Sequence, residues 1–545
     1  MDAFLSLLVL VGRLNVKVSM KVVLINPTPA DHYSPCIRSL ASVLKANGHS
    51  VRQIFLPADT YSHLHVREGH IMQMEQSMVD DLVQLCETAD FVGVSFLSSM
   101  FDVAVQATRA LQMGHPDLPI AWGGFHPSTM PQQALDFVDI VAVGEGEYAL
   151  LELVDRIEAG EDYFDLRNFW FRKPDGKVVS NPHRPLVSDL DSLPFQEYTF
   201  EDDWSYSDDQ QHLIRLDWST FLERMPRYAD RNGDLRYTYK TMITRGCPHK
   251  CSYCGVAFNH ELYKGQKYLR RRSVEHLVAE IKEVTRRFPE IGLIHFQDDV
   301  FFSTSNEEIQ KFSDVWQREV GLPFRAQCSP TTINEIKYSA LIDAGLCFTE
   351  LGIQTGSSDT MRMYKRGMTN EQLLKAVHII TKYKDFIQIP DYHMILDNPW
   401  ESTEDVMKGL RLLWTLPPPY NLLPSSLVPY PGTEFYHKAI EDGFVDDEYN
   451  QIYRKEFHSP NGSYLNFLFF LTLFNGLPKE VTQYLGQDRF VRVLNQRKYD
   501  RFWGRVYRYG ENLRKAQKLS TFAVRGKLFE ITNIRELKRV ANQMK

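Results

Sequence analysis

Thirteen consecutive residues, Thr244-Arg-Gly-Cys-Pro-His-Lys-Cys-Ser-Tyr-Cys-Gly-Val256, set three thiols at Cys-x3-Cys-x2-Cys: Cys247, Cys251 and Cys254. They follow a strand-like run over 237–243, and Gly246, Pro248 and Gly255 mark the stretch as a loop rather than a helix. Structural zinc sites take four ligands, usually in paired Cys-x2-Cys units, and the chain offers no second pair. Three thiolates in one short loop instead suit three irons of a cubane cluster. The fourth iron, which a ferredoxin would ligate with a fourth cysteine, stays open for a small molecule.

The other four cysteines, Cys36, Cys86, Cys328 and Cys347, are scattered and make no disulfide framework. This usage fits a reducing compartment, and the expected location is cytoplasmic. A length of 545 residues allows two or three domains. With 43% hydrophobic and 24% charged residues the chain reads as an ordinary globular protein. A net charge of -7 gives no general reason to expect nucleic acid. The apolar run over 4–11 is too short to span a bilayer and lacks the flanks of a signal peptide. Residues 1–19 therefore read as an over-extended start or a leader.

From 20 to 155 short apolar runs alternate with amphipathic helices, the pattern of a doubly wound parallel sheet. Expected strands cover 22–25, 51–56, 91–95, 119–124 and 140–143, and expected helices cover 39–47, 74–86 and 103–111. Ligands of such sheets lie past the carboxyl ends of the strands. There this chain places Asn26 and Pro27, Ser95 and Ser98, Gly123 and Gly124, and the run Gly144, Glu145, Gly146, Glu147.

Residues 156–236 read as a connector, with a hairpin over 169–179 turned by Pro-Asp-Gly. Asp202, Asp203, Asp208 and Asp209 read as part of a solvated loop. Strand–helix repeats resume over 237–443, with a helix at 274–288 and strands at 293–296, 324–329, 348–356 and 392–397. Their ends carry Gln297, Asp298 and Asp299, then Ser329, then Gln354, as barrel active sites do. Residues 444–545 read as a helical C-terminal region. Its apolar run 464–474 suggests a buried helix or a lid, and its basic, aromatic tail from 488 suits a membrane surface, an anionic partner or a solvated cap.

The cysteine stretch, down to the aromatic Tyr253 before the last cysteine, resembles the radical S-adenosylmethionine superfamily. That resemblance implies a partial (β/α)6 barrel and a [4Fe-4S] cluster on Cys247, Cys251 and Cys254. It also implies S-adenosyl-L-methionine at the open iron, cleaved reductively to a 5′-deoxyadenosyl radical. Gln297-Asp298-Asp299 stands where the family often has Gly-Gly-Glu. Gly352-Ile-Gln-Thr-Gly356 resembles its Gly-Ile-Glu-Ser-Gly, with amide Gln354 able to hydrogen-bond but not to act as a base. The run 428–433 resembles its Pro-x-Pro-Gly-Thr and, with 392–401, resembles the late barrel strands. The S-adenosylmethionine-binding candidates are Tyr253, Gln297, Asp298, Asp299, Ser329 and Gln354.

The first domain, through Gly123-Gly-Phe-His-Pro127 and Gly144-Glu-Gly-Glu147, resembles the cobalamin-binding domain that precedes many such barrels. The implied cobalamin contacts are Asn26, Pro27, Ser95, Ser98, Gly123, Gly124, Gly144, Glu145, Gly146 and Glu147. The Asp-x-His-x-x-Gly loop of other cobalamin domains is missing, since Asp31 and His32 are adjacent. The resemblance thus implies cobalamin without a lower histidine ligand, or a degenerate domain without the cofactor. His32 and His126 read as local hydrogen-bonders.

The resemblance spans 20–443 and implies a methyltransferase acting on an unactivated carbon of a small or lipid-like substrate. An electron donor such as flavodoxin or ferredoxin is implied as a partner, and no nucleic acid. Oxidative cyclisation or rearrangement without methyl transfer needs the same parts and stays open. So does a non-catalytic cobalamin or cluster sensor.

Overall fold

The computed structural model describes residues 19–28, 34–57, 73–207, 209–455, 457, 460–474 and 477–510. The leader, Asp31, His32, Asp208 and the basic tail beyond 510 lie outside them. The described chain divides into two compact units. One takes the residues up to Arg224 apart from Ser188–Asp191, and the other takes Ser188–Asp191 and Met225 onward.

In the first unit β1 (Lys21–Thr28), β2 (Ser50–Pro57), β3 (Phe91–Ser95), β4 (Ile120–Gly123) and β5 (Ile140–Ala142) are parallel, in the order β5-β4-β3-β1-β2. Residues 22–27 of β1 are all buried, as expected for a central strand covered by helices on both faces. The order reverses between β1 and β3, so the crevice for a ligand opens at their carboxyl ends. The expected helix at 39–47 starts earlier, at Pro35, because proline is tolerated in a helix's first turn.

The stretch 156–224 does more than connect. β6 (Phe169–Arg172) and β7 (Val178–Ser180) form the expected hairpin and pair antiparallel to β5. β8 (Asp203–Ser207) pairs parallel to β2, and β9 (His212–Arg215) pairs antiparallel to β8. The sheet thereby reaches nine strands, and both edges of the parallel core are covered.

Asp203, expected in a solvated loop, is fully buried. It accepts from the buried Arg38 guanidinium at 3.1 Å and from Gln53 Nε2 at 3.0 Å. Arg38 also donates to Glu197 O at 2.7 Å and lies over the ring of Tyr198 at 4.2 Å. A local polarity count misses this because the partner is far away in sequence. Breaking a buried ion pair strands a charge in low dielectric, which costs several kcal/mol.

The second unit contains β10 (Arg227–Ala229), β11 (Leu235–Thr241), β12 (Thr244–Arg245), β13 (Arg270–Arg271), β14 (Ile291–Phe296), β15 (Phe324–Cys328), β16 (Leu346–Gln354), β17 (Asp391–Leu396) and β18 (Asn421–Ser426). Six run parallel in chain order, β11-β14-β15-β16-β17-β18, which is the partial (β/α)6 barrel. β10 lies antiparallel along β11. The last strand is Asn421–Ser426, and the run 428–433 follows it instead of forming it. Pro424 fits there because β18 pairs on one side only.

Side-chain caps set the helix starts. Ser273, Ser305, Asn334, Thr369 and Ser402 each accept the N–H three residues on, with reciprocal capping boxes at Ser305, Thr369 and Ser402. Each is worth about 1 kcal/mol. The apolar run at 464–474 forms a buried helix, Tyr464–Leu471, pinned to the end of β17 where Asn466 Nδ2 donates to Asp397 Oδ1 at 2.6 Å. Among the described residues no helix is long and apolar enough to cross a membrane.

Candidate cluster and cofactor site

The cysteine loop leaves the carboxyl end of β11 through the ribbon of β12 and β13. Gly246, at φ 95°, lets the chain turn: a Cβ there would lie 2.7 Å from Tyr268 O. Cys254 N–H donates to Cys251 O at 3.0 Å, and the helix Val256–Leu262 follows with Gly255 at its N-cap. Ser252, fully buried between two cysteines, donates from Oγ to Met363 O at 2.6 Å and from N–H to Tyr364 O at 3.1 Å. His260 meets Cys247 O at 2.8 Å. The loop is therefore held at several points.

Cys247 and Cys251 are buried and Cys254 half-buried, all as free thiols. Burial pushes the Cys247 thiol up to about 12, with repulsion from Asp299, Cys254 and Cys251 adding to it. Burial likewise pushes Cys254 up to about 11. Three thiols crowded into one eight-residue stretch, at a mutual electrostatic cost, are a donor set that fits three corners of a cubane. Loading a cluster would displace their protons.

The expected S-adenosylmethionine contacts gather around this loop in different roles. The Asp298 carboxylate is buried and spent on the backbone. It accepts from Thr244 N at 2.5 Å, from Ile243 N at 3.2 Å and from Thr244 Oγ1. Asp299 is exposed, and desolvation by the surrounding protein raises its carboxyl pKa. Gln297 bonds His295 Nδ1 at 3.1 Å. Ser329 is buried and bonds Thr331, whose Oγ1 meets His249 of the cysteine loop at 3.4 Å. Gln354 ends β16 at φ 68° beside a bulge. Tyr253 packs on Tyr364, with ring centroids 5.0 Å apart, and turns its hydroxyl to Arg366 at 3.1 Å.

Sequence reading missed the concave face of the half-barrel. Tyr239 and Thr241 reach outward to Glu280, and Phe296 and Phe324 pack outward on Phe312 and Trp316. Strand alternation then turns Lys240, His295, Gln297, Arg325 and Gln327 inward, followed by Glu350, Asp391 and His393. Glu350 lies 3.6 Å from Arg325 and 3.4 Å from His393. Burial would raise its carboxyl pKa, but the His393 hydrogen bond and neighbouring positive charge hold it down at about 2. Burial holds the His295 imidazole well below its ordinary pKa, and Arg325 supplies positive charge beside Glu350. A barrel interior is ordinarily packed with branched aliphatics. Polar residues at alternate strand positions were the available signal.

In the first unit the strand ends form a shelf of small, half-exposed residues, Ser95, Gly123, Gly124 and Gly144. Asn26 Nδ2 donates to Ser95 O at 2.6 Å. Gly124, at φ 93°, must be glycine, since a Cβ would sit 2.8 Å from the Phe96 backbone. Ser128 Oγ donates to Gly124 O at 2.7 Å and accepts from Gly144 N at 3.0 Å. Ser98 Oγ bonds His126 Nδ1 at 3.0 Å. Burial lowers the His126 pKa to about 4, so it is a neutral local hydrogen-bonder. Glu145 accepts from Val187 N at 3.0 Å and Glu147 from Ser39 Oγ at 3.2 Å, so both carboxylates serve the fold. Pro27 is the penultimate residue of β1, and Gly146 stands at the N-cap of the helix Glu147–Ala159. A shelf of this low relief fits a large flat cofactor.

Residues 241–410 match the family model of the Radical SAM superfamily, and residues 21–154 that of the B12 binding domain. The uncharacterised methyltransferase PH0819 of Pyrococcus horikoshii is 24% identical over 391 residues, covering 70% of this chain and 77% of its own. The cytidylyl-2-hydroxyethylphosphonate methyltransferase of Streptomyces wedmorensis is 23% identical over 473 residues, 82% of this chain and 86% of its own. Among solved structures, the radical S-adenosylmethionine methyltransferase TsrM from Kitasatospora setae, with cobalamin and a [4Fe-4S] cluster bound, shares the fold. Its TM-score is 0.60 at 17% identity, over 78% of each chain. The chain belongs to the radical S-adenosylmethionine enzymes that carry a cobalamin-binding domain.

Proposed function

We propose that this enzyme transfers a methyl group to an unactivated carbon of a small polar molecule. The observation that carries the reading is one chain joining a three-cysteine loop at the strand ends of a half-barrel to a doubly wound sheet ending in small residues. When bound, the cluster with S-adenosylmethionine supplies a 5′-deoxyadenosyl radical and cobalamin supplies a transferable methyl group.

The chain's own residues hold and orient these groups. Cys247, Cys251 and Cys254 would ligate three irons, and Asp298 fixes where their loop begins. Asp299, with Gln297, Ser329 and Gln354 at neighbouring strand ends, would receive the amino and ribose groups of S-adenosylmethionine. The small residues at 95, 123, 124 and 144, with Asn26, would seat cobalamin.

Methyl transfer, and not cyclisation, is supported by the two curated methyltransferases that this chain matches over most of its length. The charged concave face favours a polar substrate over an acyl chain, because an apolar tail would leave Arg325, Glu350 and His393 unsolvated. A flavodoxin or ferredoxin would deliver the electron, in the reducing cytoplasm.

The test is anaerobic reconstitution with iron, sulfide and cobalamin, then reduction with dithionite and assay of the nucleosides formed. Both 5′-deoxyadenosine and S-adenosylhomocysteine are expected, and Cys251→Ala is expected to abolish deoxyadenosine. Deoxyadenosine alone points to cyclisation or rearrangement. Neither product points to a sensor and overturns the proposal.

A further inference from the structure

We infer that Arg366 is the protein's counter-charge for the iron–sulfur cluster and sets how readily that cluster is reduced. This rests on reading the cysteine loop as a cluster site.

Arg366 lies just past the helix Ser358–Met363 and is only 9% exposed. Its guanidinium donates to Gly352 O at 2.6 Å and to Tyr253 Oη at 3.1 Å, and reaches Met368 Sδ at 3.7 Å. Its charge acts on the neighbouring thiols of Cys251 and Cys254, while Nε is buried without a hydrogen-bond partner. Among the described residues no carboxylate stands within ion-pair distance of it. Arg38 and Arg325, also buried, have Asp203 and Glu350 respectively.

A guanidinium withheld from water and given only neutral acceptors is poorly stabilised, so this site favours a neighbouring anion. A [4Fe-4S] cluster on three thiolates is net negative in both oxidation states, and the reduced state is the more negative. A fixed cation beside the ligand sulfurs stabilises the reduced state more and raises the potential, since charge near the sulfurs tunes it. The same guanidinium holds the Tyr253 hydroxyl, between Cys251 and Cys254 in sequence, in one orientation.

The experiment compares the anaerobically reconstituted full chain with Arg366→Gln and Arg366→Lys by EPR-monitored redox titration with viologen mediators, without S-adenosylmethionine. The wild type must first show an iron–sulfur spectrum; if it does not, the functional reading itself fails. Given that spectrum, Arg366→Gln is expected to be about tenfold harder to reduce at a fixed potential, a lowering of about 59 mV for one electron. Arg366→Lys is expected to recover part of the shift. An unchanged midpoint in Arg366→Gln overturns the inference, and if S-adenosylmethionine affinity falls instead, the guanidinium serves the cosubstrate. If Arg366→Gln takes up no iron, Arg366→Lys decides: a midpoint below the wild type supports the role. An unchanged midpoint, or no cluster there either, overturns it in favour of a structural one.

Discussion

Asp298 accepts the Thr244 N–H at 2.5 Å, so the carboxyl end of β14 grips the first residues of the cysteine loop. Asp298→Ala would leave the Ile243 and Thr244 amides buried and unpaired, at about 1–3 kcal/mol each. We expect lower iron content per chain after reconstitution and a lower melting temperature. Asp298→Asn, which keeps one acceptor oxygen, should lose less of both. Iron content equal to wild type in the alanine variant would show that the loop is held without this grip.

The shelf in the first unit depends on Gly124. A methyl group there meets the Phe96 backbone at 2.8 Å, in a conformation at φ 93° that side chains rarely adopt. Gly124→Ala should cost about 2–4 kcal/mol. It should also weaken cobalamin uptake, measured by absorbance after gel filtration. Normal retention would mean that the β4 end plays no part in seating the cofactor.

Arg38 and Asp203 form a pair from which water is excluded. Asp203→Ala should destabilise the first unit by about 3–5 kcal/mol, read as a fall in the urea midpoint. Arg38→Met with Asp203→Leu should recover much of that loss. A single variant within 1 kcal/mol of wild type would contradict the burial assigned here.

Glu350 gives a pH dependence of definite sign. Its carboxyl titrates near 2 in the fold against 4.5 as the ordinary value, so the unfolded chain binds its proton first on acidification. The stabilisation is present above about pH 4.5 and is lost as pH falls towards 2. Its size is about 3 kcal/mol. The stability gap between wild type and Glu350→Gln should therefore be wide at pH 6 and narrow by pH 3. A gap independent of pH would remove the ion-pair account.

Most parallel strands of both sheets were legible because they are short apolar runs bounded by glycine or polar residues. The cysteine loop was legible because spacing alone carries its chemistry. Three kinds of feature were not. β8 and β18 are polar strands, Asp203–Ser207 and Asn421–Ser426, and a hydrophobicity pattern cannot mark them. Asp298 and Asp299 are neighbours of the same type, and only the fold assigns one to the backbone and leaves the other exposed. Arg366 and Glu350 acquire meaning from partners far away in sequence, which no local window contains.

The parallel core of the first unit is assembled from residues that leave the ribosome well before those that cover it. Until β8 emerges, the nascent chain carries a bare strand edge at β2 and lacks the Asp203 carboxylate that accepts from Arg38. A fragment cut at residue 155 would be locked permanently in that state, prone to pair with other copies of itself. A piece of this half of the enzyme that covers its own strand edge must include β8.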